Sequence, residues 1–86
     1  MTTASTRVFA EIAAGIRDVL RDPLLELSQI THFEDLPGWD SLHHVAVMVE
    51  AECRFDIMFD VPEIHQVRSV DDLVRAVIAK QTSMAA

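Results

Sequence analysis

The chain is 86 residues long with a mass of 9.6 kDa, enough for one small domain with a modest core. Half its residues are hydrophobic, with 2 Gly, 3 Pro and 6% aromatics, which suits a compact helical domain and argues against disorder, collagen or a strand-rich barrel. A single cysteine, Cys53, excludes an internal disulfide and a zinc site of four thiolates, and the formal net charge is -7.

No repeat, low-complexity tract or linker interrupts the chain. The first periodic segment runs from about Thr6 to Arg21, with Val8, Ile12, Ile16, Val19 and Leu20 on one helical face. Gly15 costs that helix about 1 kcal/mol relative to alanine. Pro23 disfavours helical geometry at Asp22 and ends the segment there. Leu24 to Asp40 reads as a long loop pinned to the core by Leu24, Leu25, Leu27, Ile30, Phe33 and Leu36. Pro37-Gly38 signals a turn, and Asp40 is a good N-cap for the helix that follows.

Ser41 to Phe55 is helical with two apolar stripes. Val47, Met48, Ala51 and Phe55 form one; Leu42, Val45, Val49 and Cys53 form the other. A surface helix of a small bundle needs one such stripe for its core, so the second points to a central helix or to a face kept for a partner. Pro62 suits the start of a short helix, Val61 to Val67, with Ile64 and Val67 inward. Ser69 and Asp72 resemble a capping box opening a last helix, whose face is Val70, Leu73, Val74, Val77 and Ile78 and whose end is near Lys80. The expected fold is all-α: a small bundle of three long helices and one short, in one domain over 1–86, with 1–5 and 81–86 flexible.

Charge placement narrows the partners. Between Glu34 and Val67 lie eight acids and one base, Arg54, so this segment holds all the net charge. Such a surface repels nucleic-acid phosphates and anionic membranes and steers basic protein partners. The longest apolar run, Val45 to Val49, is five residues, against about 20 for a membrane span. The N-terminus has no basic region followed by an apolar stretch, so a cytoplasmic protein is expected.

Ser41 is the residue best placed for chemistry. It follows an ordered loop at a helix start, where free N–H groups and a partial positive charge suit a phosphate ester. On these residues alone, plain helix capping is the commoner explanation. A nucleophilic enzyme is disfavoured, because His43 and His44 are not arranged as base and orienter and no nucleophile elbow is present. His32, His43, His44 and His65 lack metal-ligand spacing and read as solvated surface histidines; no metal is expected. Cys53 has no second cysteine and reads as packing or surface.

The string Leu36-Pro37-Gly38-Trp39-Asp40-Ser41-Leu42, with Phe55-Asp56 and Arg68-Ser69-Val70-Asp71-Asp72-Leu73 downstream, resembles the acyl carrier protein family from Val8 to Ala79. That resemblance reverses the capping explanation. It implies a right-turn four-helix bundle with a long first loop. It also implies that Ser41 receives 4′-phosphopantetheine from coenzyme A through a phosphopantetheinyl transferase, with Asp40 assisting at the transferase's magnesium site. The protein would then be a non-catalytic carrier of thioesters, a phosphoprotein and the substrate of acyl ligases or synthases, with a monomer expected. Aligned from the motif serine, Val47, Met48, Ala51 and Phe55 are core positions. Leu42, Val45 and Val49 form the docking face together with Glu52, and the three apolar residues are expected to stay partly exposed. Carriers of bacterial fatty-acid synthesis usually have an acid soon after the motif, where this chain has His43, His44 and Ala46; Arg54 also sits where an acid is common. The Pro-Gly-Trp lead-in resembles specialised stand-alone carriers, including those of polyketide, nonribosomal peptide or other secondary pathways, and a specialised fatty-acid/polyketide-type or secondary pathway is expected. Ile57-Met58-Phe59 is unusually apolar and is expected to contact a partner or the cargo. The alternatives are a peptidyl or aminoacyl carrier of a nonribosomal system and an unmodified carrier-like binding module.

Overall fold

The computed structural model describes residues 3–84. Four helices follow one another: α1 (Thr3–Leu20), α2 (Ser41–Phe55), α3 (Val61–Gln66) and α4 (Val70–Met84). A single 3-10 turn, Phe33–Asp35, interrupts the long first loop, and among the described residues there is no strand beyond one isolated bridge. The expected all-α bundle of three long helices and one short is what the chain forms.

Helix α1 packs against both α2 and α4. It contributes Val8, Ile12, Ala13 and Ile16 to the core, α2 contributes Val47, Met48 and Ala51, and α4 contributes Val70, Leu73, Val74 and Val77. Helix α1 ends through a left-handed Arg21 (φ 56°), whose neighbour Asp22 donates its N–H to the Arg17 carbonyl at 3.0 Å. That is a helix stop two residues ahead of Pro23.

Gly15 has a positive reason to be there. A Cβ at this position would sit 3.1 Å from Glu50 Cγ and 3.2 Å from Arg54 Nε, so α1 passes close beneath the Arg54 side chain. The guanidinium fans across the helix pair, with Nε 2.7 Å from Glu50, Nη1 2.9 Å from Glu11 and Nη2 2.6 Å from Asp18. These bonds, to Glu50 first and Glu11 second, raise the Arg54 pKa further above its ordinary value.

Two of the six apolar residues expected to pin the first loop do not. Leu24 and Ile30 are 87% and 84% exposed, whereas Leu25 and Leu27 pack partly and Phe33 and Leu36 are buried. Main-chain bonds do the rest of the pinning. Phe33 N–H donates to the Arg68 carbonyl, Val70 N–H to Thr31 and Asp71 N–H to Gln29, each at 2.9 Å, around the bridge of His32 with Ser69. Arg17 Nε also donates to the Leu25 carbonyl at 2.9 Å.

Between α2 and α3 the chain is non-helical and its side chains alternate in burial. Ile57 and Phe59 are buried and Met58 is exposed, so of this apolar trio Met58 is the residue open to a partner. Glu52 Oε2 holds the segment by accepting the Phe59 N–H at 2.8 Å. Glu63 Oε1 accepts the Asp60 N–H at 2.7 Å and meets Lys80 Nζ at 2.8 Å, tying α3 to α4. Ser69 Oγ caps α4 by accepting the Asp72 N–H at 3.1 Å; the Asp72 carboxylate returns to Arg68 N–H, one residue before the cap.

The helix ends reach further than the periodicity predicts. Residues 3–5 and 81–84, expected to be flexible, are helical, while 1, 2, 85 and 86 lie outside the described residues. No helix among the described residues is long and apolar enough to cross a membrane.

Candidate functional site

The site is the start of α2 and the turn that feeds it. Gly38 takes φ +69°, a left-handed conformation that glycine adopts without a Cβ penalty. This turn lays Trp39 over Phe33, the rings 5.0 Å apart and 24° from parallel. Asp40 is extended and its Oδ1 accepts the His43 N–H at 2.8 Å, closing the N-terminus of α2 as predicted. The same oxygen lies 2.7 Å from His43 Nδ1. The backbone N–H first, and the imidazole second, hold the Asp40 carboxyl below the usual aspartate range.

Ser41 is the first residue of α2 and is exposed, and its hydroxyl makes no hydrogen bond to other described residues. Neither neighbouring histidine serves it as a base. His43 is engaged with Asp40, and His44 Nε2 donates to the Ile64 carbonyl at 2.7 Å.

His44 corrects the solvated-surface expectation. It is half-buried, and its ring stands edge-on to Phe33 at 5.7 Å and to Trp39 at 6.0 Å while it ties α2 to α3. The signal was present in the sequence: His44 extends the core stripe of Val47, Met48, Ala51 and Phe55 by one turn. His43 is partly covered beside Trp39, whereas His32 and His65 are exposed. No group of three or more His, Cys, Asp or Glu among the described residues could hold a metal ion.

Beside Ser41 an open groove of about 350 Å³ lies between the start of α2 and the link from α3 to α4. Phe33, Trp39, Val67 and Arg68 line it together with Asp40 and Ser41.

Along α2, Leu42, Val45 and Val49 are 75%, 47% and 48% exposed, as expected. The exposed Cys53 continues their stripe. The acids of this helix are used internally, Glu50 by Arg54 and Glu52 by the Phe59 N–H. Arg54, the apparent departure from an acidic helix, turns towards α1.

An exposed serine on a capped helix start, with His43 and His44 both engaged elsewhere, sits in a small helical bundle of the carrier type. No protein-family model matches the chain, and no curated protein matches it. The solution NMR structure of holo acyl carrier protein from Geobacter metallireducens matches with a TM-score of 0.81 and 27% identity, over 91% of this chain and 90% of that one. The fold is that of an acyl carrier protein, and this likeness supports a carrier role.

Proposed function

We propose that Ser41 is the attachment site of 4′-phosphopantetheine and that the protein shuttles acyl groups as thioesters on that arm. The observation that carries the reading is the exposed, unbonded Ser41 hydroxyl on the first turn of α2, beside Asp40. The likeness to a protein solved in its holo form supports it. The residues fit the group: a phosphodiester on Ser41 lies at a helix N-terminus, where the macrodipole favours negative charge.

Ser41 Oγ acts as nucleophile towards the pantetheine-bearing phosphorus of coenzyme A, losing its proton as the new P–O ester bond forms and the pyrophosphate P–O bond breaks, releasing adenosine 3′,5′-bisphosphate. A phosphopantetheinyl transferase supplies the base and the magnesium. Asp40 holds Ser41 at the helix start and offers its outer carboxylate oxygen to that magnesium, since Oδ1 is engaged by His43. The bound arm supplies a thiol that forms thioesters. Leu42, Val45 and Val49 are the face on which acyl ligases and synthases dock, and Glu52 contributes there through the oxygen that Phe59 leaves free. His43, His44 and Ala46 in the first two turns favour a specialised fatty-acid, polyketide or other secondary pathway. The setting is cytoplasmic and the protein a monomer.

The test is intact-protein mass before and after incubation with coenzyme A, magnesium and a broad-specificity transferase. A gain of one phosphopantetheine in the parent and none in Ser41→Ala is expected. No gain with this transferase and with a cognate one sinks the reading.

A further inference from the structure

Arg68 differs from the residues around it. The acidic segment before it contains one base, Arg54, which is committed to three carboxylates. Arg68 is exposed, and its guanidinium makes no ion pair or hydrogen bond among the described residues; only its backbone is engaged, with Asp72 and with Phe33. It lines the groove that opens at Ser41, together with the stacked rings of Phe33 and Trp39.

An uncommitted guanidinium on an otherwise acidic surface suits one ligand chemistry above others. It is permanently charged, and its fork of N–H groups matches two oxygens of a phosphate. The groove is small, near the lower end of the roughly 300–1,000 Å³ typical of ligand pockets, and half its lining is apolar. Glu34 and Asp40 also border it, so a fully anionic ligand is opposed there, whereas a singly charged phosphodiester with an apolar stem is matched.

We propose that Arg68 binds the phosphate of the arm carried on Ser41, and that the groove between Arg68 and Trp39 seats the first stretch of that arm. This rests on the Ser41 reading and adds a positioning residue to it. The groove is open to solvent, so the thiol end extends beyond it and reaches partner enzymes.

The experiment compares the loaded parent with loaded Arg68→Gln and Arg68→Lys, each checked by mass for one phosphopantetheine. Phosphorus NMR reads the phosphodiester, and nitrogen relaxation reads the arm's labelled amides. The parent resonance is expected to differ from that of a short phosphopantetheinyl-serine peptide. Arg68→Gln should lose at least half of that difference and free the amides, with Arg68→Lys in between. Identical resonances and equal arm mobility in the parent and Arg68→Gln overturn the proposal and leave the Ser41 assignment standing. A parent that gains no mass overturns both. Because the Arg68 side chain holds nothing else in the fold, the amide spectra of the unmodified variants should match the parent away from the groove.

Discussion

At its N-terminal end α2 is held by one aspartate cap, an aromatic stack of Trp39 on Phe33, and the His44 bond to α3. At its C-terminal end the same helix is held by charge: Arg54 with three carboxylates, and Glu52 on the Phe59 N–H. The first arrangement leaves Ser41 and a groove open to other molecules. The second commits Arg54, Glu50 and one oxygen of Glu52 to bonds within the protein. A surface of strongly acidic composition therefore carries an uncharged strip, Leu42, Val45 and Val49, along the helix that bears the serine. Counting charges in the sequence could not have shown which acids remain free to meet a partner.

The contrast between the two faces of α2 is tested most severely by Met48→Ala. Met48 is fully buried, and such truncations cost about 2–5 kcal/mol, whereas Leu42→Ala on the open face should stay within about 0.5 kcal/mol. Urea unfolding measures both, and comparable losses would mean that Leu42 is covered in solution. The contrast between the two ends is sharpened by Arg54→Met, which leaves Glu11, Asp18 and Glu50 facing one another without their shared cation. A loss of about 1–2 kcal/mol is expected for this partly screened cluster, partly restored by added salt. The rate of modification at Ser41 should not change. A slowed transfer at full stability would show that the charged end communicates with the serine.

The smallest effect concerns acid. Because the folded state holds the Asp40 pKa below its unfolded value, the carboxylate stabilises the protein above the unfolded value of about 3.9, and that stabilisation fades as pH falls through the lower, folded one. The stability difference between the parent and Asp40→Asn should therefore shrink as the pH is lowered from about 5 to about 2. A difference that stays constant over that range would mean that the carboxylate's charge contributes nothing to the cap.

Helix α2 was legible to the residue, because Asp40 caps it locally and the core stripe has helical period from the first turn. The core of the bundle was legible for the same reason. The partners of Arg54 were not, since Glu11 and Asp18 lie far back in the chain and no local pattern joins them to α2. Gly15 read as a pure cost, when its missing side chain is what lets α1 pass beneath that arginine. Leu24 and Ile30 misled because hydrophobicity without periodicity does not say which way a loop side chain points. For Ile57 to Phe59, composition showed an apolar segment but not the division that puts Ile57 and Phe59 in the core and Met58 outside. At the site, Ser41 and Asp40 stood out, but the Phe33–Trp39–His44 cluster and the groove arise from loop closure between segments that are distant in sequence.

Trp39 is the chain's only tryptophan, and the chain has no tyrosine. It stacks on Phe33 two residues before the exposed serine and lines the groove beside it. The protein thus carries an optical label at its working end: its tryptophan emission arises from one ring at the place where a serine-linked group would lie, so docking and loading can be followed in the unlabelled molecule.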